Sequence, residues 1–207
     1  MAVARHGKST PDRVQDARLA TSSGMRLLTC IACVLATAVA ANAATIRVGP
    51  GRPLAGPSAA APVARDGDTV LIDSGIYRGD VATWTQDRLT LRGVGGPVVL
   101  DAVGRSAQGK AIWVIAGDRT TVEGITFTGA RVPDRNGAGI RQEGTHLTVR
   151  RSAFRDNENA ILAGENRLSD ILVERSTIAG NGAGDGFSHN LYIGTVRSFT
   201  LRFSVVT

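Results

Sequence analysis

The chain has 207 residues, 43% hydrophobic and 20% charged, which fits one sizeable folded domain and excludes a disordered chain. Its formal charge is +6, but residues 1–43 hold five of the 24 basic residues and two of the 18 acidic ones. The remainder carries 19 against 16, an excess of three, and Lys110 is its one lysine. Basic residues are not clustered with aromatics there, so no nucleic-acid partner is expected. The 25 glycines beside only 4% aromatics indicate many turns and closely stacked backbones.

Residues 1–24 are polar without apolar periodicity, and read as a long leader or a mis-assigned start ahead of Met25. Met25-Arg26, the apolar run Leu27–Val39 and Ala41-Asn42-Ala43 form the three parts of an export signal. Residues 25–43 are therefore expected to be removed, leaving a chain that begins at Ala44 and is secreted or periplasmic. The apolar run is shorter than the ~20 residues that span a bilayer. No stable membrane span is expected after cleavage, although a retained anchor is the alternative. Cys30 and Cys33 lie inside the signal, so the exported chain has neither disulfide nor thiolate metal site.

Residues 44–66 read as an N-terminal strand followed by a short helical cap, with Ser58 as N-cap and Pro62 limiting its length. From residue 67 onwards a repeat sets in. Thr121–Gly129, Thr148–Asn157, Leu172–Asn181 and Thr200–Val206 line up, with Val122, Val149, Val173 and Leu201 at equivalent places. Leu89–Val94 is a weaker earlier copy. An interleaved series runs Ala111–Val114, Gly139–Gln142, Ala160–Ala163 and Asn190–Ile193. Strands this short cannot stand alone. Stacked in parallel coils ~4.8 Å apart, they turn equivalent residues into ladders. Val122, Val149, Val173 and Leu201 would then point inward, and so would Phe127, Phe154 and Ile178. Glu123, Arg150, Glu174 and Arg202 would point outward with alternating sign, which favours this register. Asp156-Asn157 and Asn181-Gly182 suit turns with left-handed backbone angles. A β-sandwich gives no reason for same-phase ladders, and a propeller blade needs a longer period.

Gly67-Asp68-Thr69-Val70-Leu71-Ile72-Asp73-Ser74-Gly75-Ile76-Tyr77 resembles the opening coil of pectin-lyase-like β-helix proteins. With the later copies, the resemblance covers residues 45–207. It implies an all-β chain folded as a single-stranded right-handed parallel β-helix, with a short N-terminal capping helix. That family contains lyases, hydrolases, epimerases, esterases and non-catalytic proteins, so the fold does not by itself assign an activity. Calcium is implied by the resemblance alone, and no cofactor is read from the residues. Because Val205-Val206-Thr207 falls within an apolar strand copy, the stack is expected to be C-terminally incomplete.

Gly184–Tyr192 is the most unusual local sequence. It contains Asp185, His189, Asn190 and Tyr192 in a chain with three histidines. Alternation puts Tyr192 and Asn190 outward from Leu191, and Arg141 and Glu143 outward from Ile140. His189 or Tyr192 would exchange protons, Arg141 would hold a uronate carboxylate, and Glu143 with Asp185 is the best carboxyl pair. Asn190, Asp185 and Trp113 are the expected sugar-contacting residues. The plainer readings are a turn at His189-Asn190, a solvated Arg141–Glu143 pair and a core Trp113. The expectation is a monomeric, exported β-helix that binds or processes polysaccharide, acidic in character, as a lyase or epimerase if catalytic. The alternatives are a non-catalytic adhesion or structural protein, or an inactive truncated remnant.

Overall fold

The computed structural model describes residues 42–184 and 186–207. The leader, Cys30, Cys33, nearly all of the export signal and Asp185 lie outside the described residues. The described chain is a parallel β-helix of about six turns. All its strand ladders pair in parallel, forming one sheet of eleven strands and a second of five.

Each regular coil has three short strands. The first ladder holds Ile46, Val70, Leu91, Val122, Val149, Val173 and Leu201 in register. From Val70 to Val173 these side chains are fully buried. Leu201 has a strand neighbour on one side only and is 39% exposed. The second ladder stacks Leu100, Phe127, Phe154, Ile178 and Val206. In the second sheet Ala82, Trp113, Ile140, Ile161 and Leu191 point inward. A fully buried side chain of this size stabilises the fold by roughly 1.5–3 kcal/mol, so the same apolar position repeated coil after coil forms the core.

Aromatic rings run along the axis inside this core. Trp84 and Trp113 meet edge to face at 5.4 Å, Trp113 and Phe127 at 5.2 Å, and Phe127 stacks on Phe154 at 4.9 Å. Gly139 makes room for the last pair: a Cβ there would come within 2.8 Å of the Phe154 ring. Trp113 is fully buried and cannot stack on a sugar, which corrects its assignment to the binding surface. Its pairing with Ile140 turns it inward.

Two corners differ in kind. Between first and second strands, exactly two residues intervene in four successive coils: Gly124-Ile125, Arg151-Ser152, Arg175-Ser176 and Phe203-Ser204. Gly124, Arg151, Arg175 and Phe203 take positive φ there. The serines tie the corner together: the N–H of Ser152 donates to Ser176 Oγ at 3.2 Å, and that of Ser176 to Ser204 Oγ at 3.1 Å. The next corner, leading into the second sheet, varies in length. It spans residues 102–110, 129–137, 156–158 and 180–190 in successive coils.

The N-terminal cap forms as Pro57–Ala60, but Ser58 is not its N-cap. Gly56 occupies that position and makes no side-chain cap bond. Asp80 caps the helix from a later segment instead, accepting from the Ser58 N–H at 2.8 Å and its hydroxyl at 3.0 Å. Partial burial pushes the Asp80 carboxyl up, and the two bonds from Ser58 oppose that shift. At the expected left-handed turns, Asp156 and Gly180 take the positive φ, while Asn157 and Asn181 bridge coils through their side chains.

Candidate functional site

The variable corner builds a groove over the second sheet. Its outward ladder reads Thr83, Val114, Arg141, Leu162 and Tyr192. Val114 is buried beneath this face with Ala107, Ala111, Ala138 and Leu162. Towards Tyr192 the cover opens. The coil carrying Leu162 is entered through residues 156–158 only, whereas its neighbours are entered through the long segments 129–137 and 180–190. The groove between those segments has a volume of about 470 Å³. Asp134, Asn136, Arg141, Leu162, Gly164, Phe187 and Tyr192 line it.

The 129–137 wall is held from below. Buried Glu158 accepts the Gly137 N–H at 2.6 Å and the Val132 N–H at 3.1 Å. Asp134 and Asn136 stand exposed on that wall. On the opposite wall Phe187 is 75% exposed and Tyr192 48%. The His189 ring stacks on Tyr192 with centroids 5.9 Å apart and planes 18° from parallel. Flat, exposed rings of this kind offer an apolar surface with polar edges.

Arg141 joins this groove to an adjoining depression of about 270 Å³, lined by Gln142, Glu143, Gly164, Glu165 and Asn166. Glu143 lies between two cations, 2.6 Å from Lys110 Nζ and 3.9 Å from Arg141 Nε. The Arg141 contact is an ion pair too long to be a hydrogen bond, and Arg141 Nε has no hydrogen-bond partner. At Gly164 a Cβ would meet only Arg141 Nη2, at 4.0 Å.

The structure thus brings Arg141 and Tyr192 into one groove, with His189 stacked on Tyr192 and Glu143 beside Arg141. Asp185 lies outside the described residues, so its pairing with Glu143 is not described. Asn190 is spent on structure. Its Oδ1 accepts from the Asn181 N–H at 3.2 Å and Nδ2 at 2.9 Å, and its Nδ2 donates to the Thr207 carbonyl at 2.8 Å. That corrects its assignment as a sugar contact. Lys110, Asp134, Asn136 and Phe187 join the site. The alternating pattern carries no signal for them, because all four sit outside the strands.

Arg141 and Tyr192 are two rungs apart, with Leu162 between them, so their backbones are roughly 10 Å from each other. That spacing suits contacts to neighbouring sugar units better than acid–base work on one bond. Calcium, implied by family resemblance alone, finds no cluster of three His, Cys, Asp or Glu among the described residues. No helix among them is long and apolar enough to cross a membrane. No protein family, no curated protein and no solved structure matches the chain.

Proposed function

We propose that the protein is an exported β-helix that binds polysaccharide through the groove between residues 129–137 and 180–190. One observation carries the reading: Arg141 and Tyr192 stand on a single outward ladder in an open groove, with His189 stacked on Tyr192. A pyranose presents an apolar C–H face that packs on an aromatic ring, and a uronate adds a carboxylate that a guanidinium binds through two N–H groups. Arg141 lines the groove with its side chain partly exposed. The site is mixed in charge, since Asp134, Glu143 and Glu165 border the groove and its adjoining depression. It therefore fits a sugar chain with one clamped acid better than a dense polyanion.

Catalysis is the second reading, favoured by His189 lying against Tyr192. Calorimetric titration with tri- and tetragalacturonate, beside maltotetraose as a neutral control, tests binding. Tyr192→Ala and Arg141→Ala are expected to weaken the acidic oligosaccharide about tenfold each. Absence of binding to any of the three sinks the proposal. Growth of unsaturated-product absorbance during the same incubation would move the reading to lyase chemistry, and loss of that signal in His189→Ala would place the proton donor or base.

A further inference from the structure

The excess positive charge of the chain does not sit in the groove. It lies on the opposite sheet, along the outward rows of the first strand ladder. Arg92, Glu123, Arg150, Glu174 and Arg202 are successive rungs of one row. The corner position next to it adds Arg151 and Arg175. Five arginines therefore face two glutamates, an excess of three. That equals the whole excess of the chain beyond residue 43.

The two glutamates lie beneath the arginines. Side-chain exposure is 9% for Glu123 and 7% for Glu174, against 42–58% for the five arginines. Glu123 pairs with Arg92 at 3.3 Å and with Arg151. Glu174 pairs with Arg202 at 2.7 Å, Arg150 at 3.1 Å and Arg175 at 3.7 Å. Arg150 meets the distance of an ion pair, yet its Nε makes no hydrogen bond, so that N–H is not aimed at the carboxylate. A guanidinium has five N–H donors, and one contact uses one or two of them. Two glutamates would be neutralised by two arginines. The other three exceed what the ladder needs for its own pairing. Arg151 and Arg175 also occupy a left-handed backbone position, which the previous coil fills with Gly124. An arginine there works against backbone preference, and Arg175 also lies over the Phe203 ring, 5.4 Å from its centroid.

A second row runs beside the first, two residues earlier and on the same face. It reads Thr69, Thr90, Thr121, Thr148, Leu172 and Thr200. Its later members border a shallow depression of about 270 Å³ with His146, Asp170, Ser198 and Arg202. Asp170 is the remaining carboxylate there, and Arg197, Ser198 and His146 already engage it. The face thus offers a hydroxyl row, interrupted at Leu172, beside a row in which arginines recur at every second rung, ~9.6 Å apart, with Arg151 and Arg175 on adjacent rungs at the corner. A 1→4-linked chain of acidic sugars advances by about one strand spacing per unit, so every second unit meets an arginine of this row. It also carries both hydroxyls and one anionic group on each unit.

We infer that this arginine–threonine face binds a linear acidic polysaccharide laid along the helix axis, independently of the groove on the other sheet. Long polygalacturonate is the probe, measured by calorimetry at low ionic strength and by salt elution from the immobilised polymer. Binding is expected to weaken steeply with salt. Arg151→Asn with Arg175→Asn reduces the excess from three to one, while keeping a residue that tolerates the left-handed angle. This double variant is expected to lose about tenfold in affinity, and the Lys pair at the same positions to keep most of it. Should the Asn pair melt below the assay temperature, Thr148→Glu adds a negative charge to the neighbouring row without touching an ion pair, and should weaken binding likewise. Arg141→Ala with Tyr192→Ala removes the groove's share of binding; the salt-sensitive polymer binding should persist in that background, which separates this face from the groove. The inference is overturned if the polymer does not bind, or if the folded Asn pair binds as wild type. It is also overturned if, in the Arg141→Ala, Tyr192→Ala background, trigalacturonate binds as tightly as the polymer, or if phosphatidylglycerol vesicles displace the polymer.

Discussion

Asn157 is a sharp test of how the coils are held in register. Its side chain is 1% exposed and makes three hydrogen bonds. Oδ1 accepts from the Ala130 N–H at 3.0 Å, and Nδ2 donates to the Phe127 carbonyl at 3.1 Å and to Asn181 Oδ1 at 2.9 Å. Asn157→Ala removes all three and leaves two backbone groups of the preceding coil without these partners. A lost bond costs about 1 kcal/mol, and a buried group left unpaired about 1–3 kcal/mol, so the expected loss is about 3–5 kcal/mol. Asn181→Ala should cost less, because Asn181 is only half-buried and solvent can replace its partners. Urea unfolding followed by far-ultraviolet circular dichroism would measure both. A loss below about 1 kcal/mol for Asn157→Ala would refute the idea that this asparagine couples the coils. Because Asn181 bonds Asn190, and Asn190 leads directly into the Tyr192 strand, Asn157→Ala should also weaken oligosaccharide binding in the groove.

Two further outcomes follow from the same geometry. The arginines around Glu174, Arg202 foremost, hold its carboxyl below the ordinary 4.5, so its ionised form is favoured in the folded state. That contribution is present above pH 4.5 and is lost as the pH falls through the depressed folded value. Urea midpoints measured between pH 7 and pH 3 should therefore fall less steeply below about 4.5 for Glu174→Gln than for wild type; equal slopes would contradict the assignment. Glu158→Ala removes the acceptor beneath the 129–137 wall. It should raise hydrogen exchange at Val132 and Gly137 and weaken oligosaccharide binding, and unchanged exchange at both amides would reject that role for Glu158.

The core ladders were legible because they depend on period alone. Val122, Val149, Val173 and Leu201 are set by alternation within strands and by spacing between them, and they pair as that reading requires. The direction of Trp113 was not legible for a physical reason. All five residues of Ala111–Ile115 are buried, because residues such as Ala107 and Leu162 cover the outer side of the strand. Burial on both faces erases the polar–apolar contrast that marks direction. Asn190 was misread because its partner, Asn181, is nine residues away in the same loop and not one coil away. Lys110 reaches Glu143 across 33 residues from a connection whose path no repeat dictates. In this fold, strand residues follow a rule and corner residues follow the individual loop.

That division also explains why the two candidate surfaces lie on different sheets. The corner between first and second strands has the same two-residue length in four successive coils, three of them with a serine. The strands that enter it keep equivalent positions in register from coil to coil, and a long regular polymer can read such repetition. The corner opposite ranges from residues 156–158 to residues 180–190. Unequal loops make walls, walls make a groove, and a groove selects a short segment by shape. If the loops before and after residues 156–158 were shortened to match it, the groove would flatten while the arginine face kept its register. Oligosaccharide affinity and polymer affinity would then separate, as expected of two sites built by two different kinds of corner.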